Sequence, residues 1–281
     1  MYNTHITRRN KGAIVILLDR SGSMAEEVTF EGKVVTKSVA LAECVNALLE
    51  EIINRSHRER YVGDYFDVAI IGYAGEKAES LIGSGFRHIT DIDTMDVPTR
   101  IVRRTRTLPN GERFDTLTER REWVSPAAKG RTPMGDALRM ARRMVTSWCR
   151  KHPESFPPIV INITDGEATD ATPEEIATLA TRLRQAGTND GNVLFVNIHL
   201  ADHSIPSSEA IRFPSESEPI PVNRHATLLY KISSTLPELY NADIQAIRGG
   251  TPPFRAICYN ASVSELVGLL AIGSLPINQM I

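Results

Sequence analysis

Two apolar runs, each stopped by an aspartate, constrain this chain more than any other feature. Ala13 to Leu18 reads AIVILL and ends in Asp19-Arg20-Ser21-Gly22-Ser23, and Ile159 to Ile163 is a second apolar run that ends in Thr164-Asp165-Gly166. A run without polar alternation is the pattern of a strand covered on both faces, as in a parallel sheet flanked by helices. Parallel strands need crossovers, and a sheet built from them places its ligand crevice outside the carboxyl ends of the strands. Both aspartates are therefore expected at that edge.

The rest of the chain alternates in the same sense. Apolar residues from Val35 to Ile53 recur at three- and four-residue steps (Leu41, Val45, Leu48, Ile52), which predicts a helix. Phe66 to Tyr73 predicts a second strand, and Glu79 to Ile82 a short third one. Thr132-Pro133 predicts a helix start, with Thr132 as its cap and an apolar stripe running to Trp148. Thr172-Pro173-Glu174-Glu175 forms a capping box that opens a further helix ending near Gly187. Val193 to Leu200 predicts a strand, 204–222 a loop, 226–234 a helix, 236–253 a loop and Phe254 to Tyr259 a last strand. A final helix is expected from the Ser262-x-x-Glu265 box to Gly273. The fold class read from this order is α/β: a doubly wound, mostly parallel sheet with helices on both faces and one antiparallel edge strand. A single domain over 11–281 is expected, after a tail over 1–10. An insertion at about 83–129 interrupts it, where Pro109-Asn110-Gly111 predicts a hairpin turn.

Composition sets the outer limits. With 32 Lys+Arg against 34 Asp+Glu, the net charge of −2 provides no global field for a polyanion or an anionic membrane. The three cysteines, Cys44, Cys149 and Cys258, are odd in number and widely spaced, which argues for buried free thiols over a disulfide framework. The N-terminal residues are polar, the apolar run after them is too short for a signal-peptide core, and no stretch approaches the ~20 apolar residues of a membrane span. The expectation is a cytoplasmic protein.

Beside Asp19 stand two hydroxyls, Ser21 and Ser23, placed so that a turn through Gly22 aims both at one point. Asp19, Ser21, Ser23, Thr132 and Asp165 are hard oxygen donors, suited to Mg²⁺ or Mn²⁺ over a soft metal. Each residue taken alone also fits an ordinary role: aspartates and Thr132 as caps, serines as turn formers. Capping does not require the combination.

Asp19-x-Ser21-x-Ser23 after the first strand, Thr132 in Gly130-Arg131-Thr132-Pro133-Met134-Gly135 and Asp165 in Thr164-Asp165-Gly166-Glu167 resemble the metal-ion-dependent adhesion site of the von Willebrand factor A domain family. The resemblance covers roughly 11–273 apart from the insertion. It implies a non-enzymatic binding module in which Ser21, Ser23 and Thr132 meet the metal through hydroxyls while Asp19 and Asp165 hold it, often through water. A protein partner then supplies an Asp or Glu carboxylate. Thr-Pro-Met-Gly before the helix is similar to bacterial intracellular forms of the tellurite-resistance type. Through them the resemblance implies a scaffold in a bacterial phosphorylation or stress-response circuit, with a kinase or phosphatase as partner.

Two other functions compete. A metal-dependent phosphoester hydrolase would use Asp19 and Asp165 for Mg²⁺ and His199 or His203 as base, yet the D-x-D aspartyl phosphatase pattern and glycine-rich phosphate loops are missing. His199, Asp202 and His203 read better as loop polars. Nucleic-acid binding would use Arg100, Arg103, Arg104 and Arg106, although a solvated charged face explains these more simply, and the balanced charge disfavours it as the main task. The insertion leads directly into the Thr132 loop, which makes it a candidate wall of the partner surface.

Overall fold

The structure, a computed structural model, describes residues 1–59, 61–107, 113–200, 210–219 and 224–262. The Pro109-Asn110-Gly111 turn, Asp202, His203 and the expected last helix lie outside these residues. The elements in chain order are β1 (Gly12–Asp19), β2 (Glu27–Phe30), β3 (Lys33–Thr36), α1 (Lys37–Ser56), β4 (Phe66–Ala74), β5 (Lys77–Ser80) and β6 (Arg87–His88). They continue with α2 (Ile89–Asp93), β7 (Thr99–Thr107), β8 (Arg113–Arg121), α3 (Met134–Lys151), β9 (Ile159–Thr164), α4 (Pro173–Arg184) and β10 (Leu194–Leu200). The last are β11 (Ile211–Arg212), α5 (Arg224–Ile232), α6 (Asn241–Arg248) and β12 (Ile257–Ala261).

One sheet of eight strands organises the described residues, in the order β11-β12-β10-β9-β1-β4-β5, with β6 also on β4. The five inner strands run parallel, as their mostly apolar sequences predict. Both edges are antiparallel, through β5 and β6 on one side and β11 on the other, where a single antiparallel edge strand was expected. These edge strands have two to four residues, too few to carry a strong sequence pattern.

The pleat divides β1 between two cores. Ile14, Ile16 and Leu18 join α1 residues such as Leu41, Val45 and Ile52 on one face. Ala13, Val15 and Leu17 join Leu138, Ala141 and Val145 of α3 and Ile176 of α4 on the other. Burying a large aliphatic side chain contributes about 1.5–3 kcal/mol, so this double coverage fixes the register of β1 firmly. The α4 capping box forms as predicted, with Thr172 and Glu175 exchanging hydrogen bonds.

Several elements differ from the sequence reading. Val35 belongs to a β2–β3 hairpin whose turn takes Glu31 and Gly32 to φ +48° and +76°, and α1 starts only at Lys37. The 236–253 stretch contains α6, anchored by the fully buried Ile244. Asn162 interrupts the second apolar run; it is fully buried and bonded to Tyr73 and Asn197. Parts of 83–129 also enter the core: Ile89, Ile92, Trp123 and Val124 pack against the α1 face, and Trp123 Nε1 donates to the Ile92 carbonyl at 3.0 Å. Only β7 and β8 form the hairpin, and Arg100 and Arg120 tie its base to Glu43 of α1. Arg100, with a side chain 44% exposed, is solvated as expected and in addition pairs with Glu43 and Glu122. Register sets Arg103, Arg104 and Arg106 opposite Leu117, Thr116 and Phe114. At the other end, Ile6 is fully buried and Asp190 accepts from the backbone N–H groups of Asn3 and Thr4 at 3.0 Å each.

Candidate metal centre

The carboxyl ends of β1 and β9 are neighbours in the sheet, and this brings Asp19 beside Thr164 and Asp165. Asp19 Oδ1 accepts the Ser21 backbone N–H at 2.9 Å, and the Met24 N–H donates to the Ser21 carbonyl at 3.1 Å to close the turn predicted through Gly22. Its Oδ2 accepts the Thr164 hydroxyl at 2.7 Å. Asp19 is 1% exposed, and burial pushes its pKa up to about 6. The Ser21 and Thr164 hydrogen bonds pull it down, and the charge of Asp165 adds to the rise.

From Asp19 a chain of hydroxyls leads to the second aspartate. Ser21 Oγ lies 3.1 Å from Ser23 Oγ, and Ser23 Oγ donates to Asp165 Oδ1 at 2.6 Å. Two ligands at right angles around Mg²⁺, each about 2.1 Å from it, are about 3.0 Å apart. The two serine oxygens already have the spacing of one edge of such an octahedron. Hard, mostly neutral donors beside two carboxylates fit Mg²⁺ or Mn²⁺ chemically.

Thr132 reaches the same edge through three docked loops. Gly22 N–H donates to the Gly130 carbonyl at 3.0 Å, Lys129 N–H to the Arg20 carbonyl at 2.8 Å, and Thr132 exchanges two bonds with Thr169. Gly130 sits at φ +68°, and a Cβ there would approach Gly75 Cα to 2.8 Å, so only glycine lets these loops close. Thr132 does not cap α3 as predicted. Pro133 holds the cap position, and Asp170, from the loop after β9, accepts the Gly135 and Asp136 N–H groups at 2.9 Å each. The Thr132 hydroxyl is thereby released from capping.

Two site residues escape sequence reasoning, Asp170 and Lys37. Lys37, 1% exposed, places its Nζ 2.6 Å from Glu26 Oε2 and 3.2 Å from Asp165 Oδ2. Burial opposes its charge, but Glu26 and Asp165 more than offset this and raise its pKa. A lysine as the first residue of a helix opposes the macrodipole, but a helix read from Val35 hides that signal, and only the observed start at Lys37 reveals it.

His199 is an interior strand residue, not a loop polar. It is 2% exposed, its ring stacks on Tyr259 at 4.4 Å, and His225 meets its edge at 5.0 Å. Burial lowers the His225 pKa, against the charges of Glu167 and Asp165. Cys44, Cys149 and Cys258 are buried and in no disulfide, as predicted, and burial pushes Cys44 up to about 12 and Cys149 to about 11.

A second cluster, Asp64, Asp67 and His88, could also hold a metal by spacing. It belongs to the other end of the sheet: Asp67 is in register with Ala13, six residues before Asp19, or about 20 Å along the strand. There Lys11 already pairs with Asp64 and Asp67, while Trp148 Nε1 donates to Asp67 at 2.8 Å.

No protein-family model and no curated protein matches the chain. Among the described residues no helix is long and apolar enough to cross a membrane. Solved structures similar to it include a von Willebrand factor type A protein from Catenulispora acidiphila, at 15% identity and a TM-score of 0.49, over 96% of this chain and 43% of that one. The vWF domain of the type V pili tip protein Mfa5 from Porphyromonas gingivalis is similar at 13% identity and a TM-score of 0.32, over 58% of this chain and 43% of that one. An uncharacterized membrane spanning protein from Vibrio fischeri is similar at 17% identity and a TM-score of 0.28, over 68% of this chain and 72% of that one. The chain thus spans less than half the length of the first two. Its α/β class rests on its own strand order, and von Willebrand factor A domains are among the structures it is similar to.

Proposed function

We propose that this chain is a metal-dependent protein-interaction module that captures an acidic side chain through Mg²⁺, or Mn²⁺, held by Asp19, Ser21, Ser23, Thr132 and Asp165. The observation that carries this reading is the continuous polar line Asp19, Ser21, Ser23, Asp165 at the carboxyl ends of adjacent parallel strands. Ser21, Ser23 and Thr132 supply neutral hydroxyls, while Asp19, with both oxygens engaged by Ser21 and Thr164, acts from further out. A divalent ion bound by so many neutral donors stays electron-poor and attracts an anionic oxygen from outside the chain. The natural occupant is a partner's Asp or Glu.

The resemblance read from the sequence supports the same assignment, including the intracellular, non-enzymatic role and a kinase or phosphatase as partner. The β7–β8 hairpin and the 122–131 segment, which passes Arg20 at Ser125 and Lys129, form one wall of the partner surface in this proposal. The hydrolase alternative has less support: His199 is enclosed by Tyr259 and His225. An affinity pull-down of the whole chain with Mg²⁺ or with EDTA, and with Asp19→Ala as control, tests the proposal. Partners retained equally in all three conditions contradict it.

A further inference from the structure

Lys37 stands where helix architecture disfavours a lysine. It opens a 20-residue helix, where the positive end of the macrodipole disfavours a cation, and it is 1% exposed, where an ammonium loses its hydration. The helix already has its cap in Thr36, whose hydroxyl accepts the Val39 N–H at 3.3 Å. The ammonium is directed at the site: one carboxylate it meets is Asp165, and the other is Glu26, only three residues past Ser23. The Lys37 backbone N–H also donates to the Glu26 carbonyl at 2.8 Å, so the same pair closes the base of the β2–β3 hairpin.

We propose that Lys37 is a built-in counter-ion that competes with a divalent metal for Asp165 and so sets how tightly the site holds its ion. This rests on the metal-binding reading above. A divalent ion seated between Ser23 and Asp165 meets a positive charge already engaged with the same carboxylate, and the two cations repel in a setting where water screens poorly. Glu26, with a side chain 46% exposed, offers the ammonium a place to retreat toward when the metal claims Asp165. A partner's carboxylate adds negative charge to the pair of cations. Metal and partner then favour each other's binding, and the coupling is reciprocal.

The test is Mg²⁺ titration calorimetry on the full-length wild type, Lys37→Met and Lys37→Arg, each checked for folding by circular dichroism. Methionine keeps the length of the side chain and removes its charge; arginine keeps the charge. Lys37→Met is expected to bind Mg²⁺ about tenfold or more tightly than wild type, and Lys37→Arg within about threefold of it. If Lys37→Met does not fold, Glu26→Gln replaces it: without Glu26 the ammonium concentrates on Asp165, and Mg²⁺ affinity is expected to fall about threefold or more. Wild type that binds Mg²⁺ while Lys37→Met binds it no more tightly overturns the counter-ion role and leaves the metal site standing. An unchanged or higher affinity in Glu26→Gln does the same. Binding by neither wild type nor variants removes the metal reading itself, and the competition with it.

Discussion

Ser23 and Asp165 are 142 positions apart in the chain, yet the serine hydroxyl donates to the aspartate at 2.6 Å. The bond joins the loop after β1 to the loop after β9, so it exists only if those strands are parallel neighbours in the observed register, where Leu18 faces Ile163. It converts a fold-level fact, two apolar runs side by side, into a local one: an oxygen cluster of defined spacing.

Asp19 makes the site sensitive to pH. Its pKa rises on folding from 3.8 to about 6, mainly through burial. A carboxyl shifted this way keeps its proton longer when folded, so its stabilising contribution is present below the unfolded pKa and is lost as pH rises through the folded one. Asp19→Asn removes the titration. With a chelator present, the stability of that variant relative to wild type is expected to rise by about 3 kcal/mol between about pH 4 and about pH 7. Urea unfolding at several pH values checks this. Because a ligand must be deprotonated to bind, Mg²⁺ affinity of the wild type is expected to fall below about pH 6.

Asp170 holds α3 in place of the residue that the sequence puts forward. Its carboxylate caps two N–H groups of the first turn, and the adjacent Thr169 binds Thr132. Asp170→Ala is expected to cost about 1–2 kcal/mol in stability, the usual cost of a lost cap. It should also loosen the Thr132 loop and weaken Mg²⁺ binding. Thermal unfolding and calorimetry on one preparation measure both effects. A stability loss with unaltered metal affinity would separate the cap from the site.

Tyr73 anchors a polar line buried under the site. Its hydroxyl donates to Asn162 Oδ1 at 2.9 Å, Asn162 Nδ2 to Asn197 Oδ1 at 3.0 Å, and Asn197 Nδ2 to Ser233 Oγ at 3.0 Å. Tyr73→Phe leaves an amide oxygen without its donor, and such a loss costs about 1–3 kcal/mol. Denaturant unfolding of the variant should show this shift in midpoint with an unchanged slope.

The sequence disclosed the parts of this architecture that repeat a simple period. β1, β4, β9 and β10 are legible because both faces are buried, and α4 because Thr172 and Glu175 must box its start. The edge strand β5 was legible two residues out of place, whereas the two-residue β6 and β11 and the short α6 escaped because so few residues carry little period; in α6 only Ile244 is buried. Asp19, Ser21, Ser23 and Asp165 were legible as a group since each sits next to a strand end. Asp170 and Lys37 were not, because what they bind belongs to other segments, the first turn of α3 for Asp170 and Glu26 with Asp165 for Lys37. Thr132 looked like a cap for a local reason, the proline after it, and Asp170 overrides that signal from outside the helix.

A single divalent ion is expected at Asp19, Ser21, Ser23, Thr132 and Asp165. Mn²⁺ titration followed by electron paramagnetic resonance tests it most directly, using wild type, Asp165→Ala and His88→Ala. One Mn²⁺ per chain is expected, displaced by Mg²⁺, lost in Asp165→Ala and retained in His88→Ala. Binding that survives Asp165→Ala and disappears in His88→Ala would contradict it.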